Sequence, residues 1–341
     1  MPKRPTLQDL AQAAGLGTAT VDRALNARGN VSRRSLAAVI AAAQRIGYPL
    51  PAQLDGSERR DRISLGFVLH KRTQAFYQRF ADEIAHACAA FPDAVVTPHL
   101  HFSPSQAPDD FAEAIRAAAA DGQAVAATAI NHPNLTRLVE DLSAAGTPVF
   151  SLLNDFAGRA GAGYFGLDNM KAGRLAGWMM ATQLQRRCRV AVIVGGARWH
   201  GQGLRETGFR TALREHAPQI AIADTSINLE TRQVTYEATL DLLQRHADLA
   251  GLYVAGGGME GAIAALRESR PPGKLSLIVN ELTPESRTAL ADRYVTMVIA
   301  TPLSEMCAAL VRRMVDSLRK GATGAAPAHL MEPLIYLPDS L

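Results

Sequence analysis

Two hydrophobic rhythms divide this chain. Over the first fifty residues, apolar positions recur at the three-to-four spacing of short amphipathic helices. Leu7, Leu10, Ala11 and Ala14 share one face, with Thr6 placed to cap the helix and Asp9 to complete a capping box. Gly15 suits the left-handed residue that stops it. After the short link Leu16-Gly17, a second helix is expected from about Thr18 to Leu25, with Val21 and Leu25 turned inward. Asn26 to Asn30 is turn-like. Ser32 caps a third helix, whose stripe is Leu36, Val39, Ile40, Ala43 and Ile46. Gly47 ends it, and Pro49 and Pro51 prevent its return.

The next stretch, "PLPAQLDGSERRDR", is polar and broken by prolines, as in a linker. From Ile63 the rhythm changes. Unalternated apolar runs ("ISLGFVL", "AVAATAI", "PVFSLL", "RVAVIV", "LAGLYVA", "LSLIVN", "VTMVIA") alternate with helical stretches. Such runs suit strands buried on both faces of parallel sheets, and the repeated strand–helix units predict an α/β body. The chain therefore divides into an all-α headpiece (1–50), a linker (51–61) and an α/β body (62–341).

Composition adds three limits. With 48% hydrophobic and 20% charged residues over 341 positions, the chain is of ordinary globular type. Its three cysteines, Cys88, Cys188 and Cys307, are scattered and form no C-x-x-C, so a reducing, cytoplasmic setting is expected. No apolar run reaches the roughly 18 residues of a membrane span, and the N-terminus has no signal-like apolar region, so no membrane partner is expected. Charge is unevenly spread. Residues 1–50 hold seven Lys/Arg against two acids, a net of +5, which leaves −1 of the total +4 for the other 291 residues. A small basic module on a nearly neutral body suggests a polyanion partner.

Two helices joined by a tight turn, backed by a third, form a helix-turn-helix, whose second helix enters the major groove of DNA. With Val21 and Leu25 inward, Thr18, Ala19, Asp22, Arg23 and Asn26 are free to face bases, and an arginine fork matches guanine O6 and N7. Thr6, Ser32, Arg33 and Arg34 stand at helix starts or in loops, where phosphates are held. The stretch "TLQDLAQAAGLGTATVDRALNARGNVSRRSLAAVIAAAQRIGYP" closely resembles the headpiece of the lac-repressor (LacI/GalR) family. The resemblance implies double-stranded DNA as partner, a near-palindromic operator and a homodimer. It also implies operator preference set at Thr18 and Ala19 and a base contact from Arg23. Gly17 departs from the family's capping serine, and Asp22 from a common serine. The hinge pattern Asn-x-x-Ala-x-x-Leu is missing, and Leu54 is the one leucine placed to serve as a minor-groove wedge.

The body resembles the same family's effector domain, a type I periplasmic-binding-protein-like fold, through "GLDNMKAGRLAG", "RETGFRTAL" and "TPVFSL". That implies two Rossmann-like lobes with parallel sheets, a cleft between them and three chain crossings. Lobe 1 is expected over about 62–165 and 296–325, and lobe 2 over about 166–295 and 326–341. The crossings are placed near 163–168, 293–302 and 322–333. A small effector, a sugar or sugar derivative, is the expected ligand, and a repressor of carbohydrate-type catabolic or transport genes the expected function.

Ligands in open α/β sheets bind beyond the carboxyl ends of strands. Candidates at such ends are Phe76, Tyr77, Asn131, Asp155, Arg205 and Glu281, with His70, Lys71 and Arg72 as a loop expected to be solvated and Thr301 as a further polar position. Arg205 stands where the resemblance places a pocket arginine. His99 and His101 share a strand face, but two imidazoles are too few for a metal site. No nucleophile-elbow, zincin or Walker motif occurs, so neither catalytic residues, cofactor nor metal are expected. One competing enzyme signal remains. Gly256 to Gly261 spells G-x-G-x-x-G after a strand-like run, with Glu281 beyond it, as in dinucleotide-dependent oxidoreductases. Its position, with 80 residues following Gly261, is late for a motif that normally opens its unit.

Overall fold

A computed structural model describes residues 5–26, 31–51, 54, 61–321 and 326–340. The headpiece and the body are separate compact units.

The headpiece has three helices, α1 (Leu7–Ala14), α2 (Thr18–Leu25) and α3 (Arg33–Ile46). Thr6 and Asp9 form the expected capping box on α1, and Ser32 caps α3. Gly15 and Gly47 end α1 and α3. The predicted apolar stripes converge on one core of Leu10, Val21, Leu25, Val39 and Ala43. Leu54 rests half-buried against this cluster, as does Leu50, so the candidate groove wedge has its side chain in headpiece packing. Of the linker, Asp55 to Arg60 lie outside the described residues.

The body builds two six-stranded sheets. The first lobe opens with β1 (Asp61–His70), α4 (Ala75–Ala89), β2 (Ala94–Ser103) and α5 (Pro108–Asp121). It continues through β3 (Ala124–Ala127), α6 (Pro133–Ala144), β4 (Val149–Leu152) and β5 (Gly163–Leu167). The second lobe runs α7 (Asn169–Gln183), β6 (Cys188–Val194), α8 (His200–His216), β7 (Ile220–Ile227) and α9 (Arg232–Arg245). It continues as β8 (Leu249–Val254), α10 (Met259–Ser269), β9 (Ser276–Val279), α11 (Pro284–Ala291) and β10 (Met297–Ala300). The chain then returns to the first lobe as α12 (Leu303–Lys320), which packs on α4, and ends in β11 (His329–Met331) and β12 (Leu334–Tyr336).

The first sheet has the order β11-β5-β4-β3-β1-β2, and the second β12-β10-β9-β8-β6-β7. Strands β3, β4, β8, β9 and β10 are buried along their whole length, which explains their unalternated apolar runs. The antiparallel edge strand β12 is the exception to parallel pairing in the second sheet.

Strand pairing corrects the expected lobe boundaries. β10 pairs with β9 in the second sheet, although 296–325 was assigned to the first lobe. β11 pairs with β5 in the first sheet, although 326–341 was assigned to the second. A fully buried strand has the same apolar pattern in either sheet, so periodicity does not decide its membership. The chain crosses between lobes at Asp168, at Thr301 and Pro302, and at Glu332 and Pro333.

Candidate functional site: headpiece face and inter-lobe cleft

On the headpiece, one face of α2 is polar and open. Thr18, Ala19, Asp22, Arg23 and Asn26 are exposed, while Val21, Ala24 and Leu25 are buried. Arg23 Nε donates to the Ala19 carbonyl at 3.1 Å, which lays its guanidinium along the helix. Asn26 Nδ2 donates to Asp22 Oδ1 at 2.9 Å, so the carboxylate on this open face already has a partner. Gly17 opens α2 without a side-chain cap. Thr6 and Ser32 are exposed at the starts of α1 and α3, each spending its hydroxyl on a cap. The side chain of Arg33 lies outside the described residues.

The body encloses a cavity of about 80 Å³ between its lobes. The two walls differ in kind. The first lobe supplies Gln74, Phe76, Tyr77, Thr128, Leu153 and Asn154, none of them charged. Every charged lining residue, Arg205, Glu230, Glu260 and Glu281, comes from the second.

Arg205 sits in the second turn of α8, buried. Its Nε donates to Asn169 Oδ1 at 2.7 Å and its Nη1 to the Ala255 carbonyl at 2.8 Å. Asn169 is itself oriented by donating to the Tyr164 hydroxyl at 3.1 Å. No ion pair holds Arg205 among the described residues, so its charge is offered to the cavity. Glu281 follows β9, and the Thr301 hydroxyl donates to its Oε1 at 2.9 Å while the Thr301 amide donates to its Oε2. Burial raises the Glu281 carboxyl above its ordinary range, against the pull of Arg205 and the two Thr301 bonds. Tyr77 projects from the other wall, and its hydroxyl is pushed well above its usual range by burial and then by Glu230 and Glu281.

Glu230 is the residue the sequence did not disclose. It lies in the loop between β7 and α9, buried, with a left-handed backbone at φ 54°. Its Oε1 accepts from Gln202 Nε2 at 2.6 Å and from the Gly257 amide at 3.1 Å. Gln202 in turn accepts from the Gly195 amide at 2.6 Å. The glycine run thus meets a carboxylate of its own chain. Gly258 caps α10 with φ +88°, and a Cβ there would run into Thr235. Gly261 lets α10 lie against α9, where a Cβ would strike the Arg232 carbonyl. In the dinucleotide fingerprint, the equivalent turn receives a pyrophosphate. Here Glu230 accepts from the Gly257 amide, and Glu281 accepts from Thr301, so both groups already have partners within the chain.

The lobes are closed on one another. Lys71 Nζ donates to the Glu230 carbonyl at 2.7 Å, Gln106 Nε2 to the Leu229 carbonyl at 2.9 Å, and the Gly201 amide to Asn154 Oδ1 at 2.9 Å. Trp199, from the second lobe, is buried in the first lobe's hydrophobic cluster beside Phe111 and donates to Gln106 at 3.2 Å.

Of the six expected pocket residues, Phe76, Tyr77, Arg205 and Glu281 line the cavity, and Asn131 and Asp155 do not. Asn131 bridges the lobes at the rim: its amide donates to the Arg198 carbonyl at 2.9 Å and its Nδ2 to the Asp155 carbonyl at 2.8 Å. Asp155 turns away to accept from the Gly158 amide at 3.0 Å, and the neighbouring Asn154 takes the pocket position. β4 ends at Leu152 and Leu153 is left-handed at φ 62°, so the turn after the strand, and not the strand's own alternation, decides which of the two faces the cavity. The loop after β1 is not a solvated trio either. Lys71 spans the cleft, and Arg72 lies over the Phe102 ring at 4.6 Å. His70 is fully buried among Tyr77, Phe111 and Trp199, and burial, helped by the Lys71 charge, lowers its pKa to about 4. His101 pairs with Asp121 at 3.0 Å. Among the described residues, no group of three or more His, Cys, Asp or Glu is placed to hold a metal, and no helix is long and apolar enough to cross a membrane.

Comparison with known proteins agrees with both halves. Residues 6–49 match the family model of bacterial regulatory proteins, lacI family, and residues 65–322 that of the periplasmic binding protein domain. No curated protein matches the chain in sequence. Among solved structures, an ABC transporter solute binding protein from Burkholderia graminis C4D1M in complex with D-arabinose superposes with a TM-score of 0.74 at 18% identity, covering 81% of this chain and 96% of that one. GanP, a glucose-galactose binding protein from Geobacillus stearothermophilus, gives 0.71 at 21%, covering 83% and 99%. A periplasmic solute binding protein from Actinobacillus succinogenes 130z with bound D-allose gives 0.71 at 15%, covering 82% and 98%. At these identities the likeness is one of fold.

Proposed function

The chain belongs to the lacI family of bacterial regulatory proteins and is a DNA-binding transcription regulator, and from that premise we propose that it is a homodimeric repressor released or engaged by a sugar-type effector. The observation that supports this best is the pairing, in one chain, of an open polar face on α2 with an enclosed polar cleft. Thr18, Ala19, Asp22, Arg23 and Asn26 read bases in the major groove. Thr6, Ser32 and Arg33 hold phosphates at helix starts, where backbone amides and the helix dipole favour an anion. A single headpiece makes too few contacts for a specific site, so two act on a near-palindromic operator.

The effector occupies the cleft. Arg205 and Asn154 address its hydroxyl oxygens, and the rings of Phe76 and Tyr77 pack against its carbon face. Solved relatives of the same fold bind D-arabinose and D-allose, which supports a sugar or sugar derivative here. The target genes are those of carbohydrate catabolism or transport. Control is a population shift between lobe arrangements, which needs an effector with different affinity for each. The reading assigns no catalytic step to the chain.

The test is sequence selection from random duplex DNA by the full-length protein, followed by titration of the selected site with and without a panel of sugars. The expected result is a near-palindrome whose affinity changes about tenfold or more, a coupling of about 1.4 kcal/mol, with one sugar class. Failure to enrich any sequence would sink the proposal.

A further inference from the structure

The charge on the cleft wall points to a ligand of one kind. Among the described residues, Arg205 is the sole cation lining the cavity, against the carboxylates of Glu230, Glu260 and Glu281. Lys71, on the opposite lobe, donates its ammonium to the Leu229 and Glu230 carbonyls, and the charges of Arg79 and Arg232 reach Glu281 and Glu260 from outside the lining. Arg72 stacks on Phe102. The place where an acidic ligand group would ordinarily be welcomed is the glycine turn at the start of α10, where backbone amides and the helix dipole favour a negative charge. That place is taken: Glu230 accepts from the Gly257 amide, and Glu260 stands in the first turn of the same helix. Burial already disfavours ionised Glu260 and Glu281, so a further carboxylate in the cavity would meet both repulsion and the same desolvation.

We propose that Glu230 is the specificity-determining residue of the cleft, acting as a built-in anion that fills the glycine turn and restricts the effector to uncharged, hydroxyl-bearing molecules, excluding sugar acids and sugar phosphates. The proposal rests on the cleft being the effector site. Glu230 suits the task in three ways. Its Oε1 is fixed by Gln202 and Gly257, which leaves Oε2, without a bond among the described residues, to accept from a ligand hydroxyl. Its carbonyl is gripped by Lys71 and Gln74 of the opposite lobe, so the carboxylate cannot swing away while the cleft is closed. Its partner loop carries no side chain that could replace it, since Gly256, Gly257 and Gly258 present backbone alone.

The test uses full-length protein and titration calorimetry with D-arabinose, D-allose, D-galactose and D-glucose, each beside its aldonic acid. At least one neutral sugar is expected to bind the parent protein tenfold or more tightly than its acid. Glu230→Gln keeps the side chain's shape and should narrow that preference at least tenfold, chiefly by admitting the acid. Glu260→Gln, in the first turn of α10, should narrow it by a smaller factor and serves as the second arm should Glu230→Gln not fold. An acid bound as tightly as its neutral partner by the parent protein, or a preference unmoved by either variant, overturns the proposal and leaves the effector site standing. No binding by any of the eight compounds, to parent or variants, overturns the effector-site reading and the inference with it.

Discussion

The headpiece and the cleft solve recognition in opposite ways. The exposed polar residues of α2 and its C-cap, proposed above to face DNA, lie within nine positions of one another. The cleft draws on loops and helix starts from Gln74 to Thr283, and Gln202, Glu230, Arg205 and Asn169 among its polar groups are buried and already bonded to one another. A surface contact is free of structural duty, so it can be removed with little effect on folding. A cleft residue holds the lobe together as well as lining the cavity. Substitutions in the headpiece should therefore change DNA binding alone, and substitutions in the cleft should change stability and response together.

The largest expected effect tests the cleft side of that contrast. Arg205→Ala strands Asn169 Oδ1 and the Ala255 carbonyl without their donor and removes the larger of the two positive charges, with Arg79, that act on Glu281. Leaving a buried acceptor unsatisfied costs about 1–3 kcal/mol each. The body's melting temperature should fall and the effector response should vanish, while unliganded operator affinity stays within twofold. Melting curves and DNA titrations with and without sugar read all three. A preserved response would show that the cleft is not organised around Arg205.

His70 extends the contrast to a residue that holds the first lobe's wall without lining the cavity. It is buried, and its pKa is lowered from 6.5 to about 4. The unfolded chain binds the proton first as pH falls, so the stability due to neutral His70 is complete above pH 6.5 and is lost on descent toward pH 4. The loss approaches about 3 kcal/mol by pH 4. His70→Phe, which keeps an aromatic among Tyr77, Phe111 and Trp199, should remove that component. Denaturant midpoints at pH 7 and pH 4.5 should converge in the variant relative to the parent protein; an equal acid sensitivity in both would refute the assignment.

The same contrast explains what could be read in advance. Helix α2 is found from Thr18 to Leu25, where the spacing places it, because amphipathic periodicity and capping act within a few residues. Buried runs such as "RVAVIV" and "LSLIVN" became β6 and β9, since only a sheet interior accepts them. Edge strands with mixed patterns, β2, β7, β11 and β12, carried no such signal. In the cleft, Arg205 and Glu281 were visible as charges beside strand ends or inside a family motif. Glu230 and Trp199 were not. Each depends on residues far away in sequence for its meaning: Trp199 is buried only because the first lobe's cluster receives it, and Glu230 matters because Gly195 and Gly257 leave room beside it. The glycine run was legible as a tight turn, but its partner was not.

On the headpiece side, Arg23→Ala should cost about 1–3 kcal/mol on the operator and little on random DNA. Its one intramolecular bond is to the Ala19 carbonyl on the surface, so the headpiece's melting should be unchanged. Anisotropy titrations on both DNAs, beside a melting curve, separate the outcomes. Equal losses on operator and random DNA would make Arg23 a phosphate contact, and a fall in stability would break the distinction between the two regions.

The smallest effect is at the start of the same helix. Gly17 precedes α2 with extended backbone, φ −69° and ψ 146°, which any residue adopts, and a Cβ there meets nothing within 4 Å. A serine oxygen could accept from the unserved amides of the first turn, as those of Thr6 and Ser32 do for α1 and α3. Because glycine is itself a tolerable cap, Gly17→Ser should add only a few tenths of a kcal/mol. It should still tighten operator binding slightly, because a firmer N-terminus presents Thr18 and Ala19 in fewer conformations. Hydrogen exchange of the α2 amides should slow in the variant while exchange in the body stays the same. Slowing in the body as well would mean that the headpiece and the cleft unfold as one unit and that their separation is one of function alone.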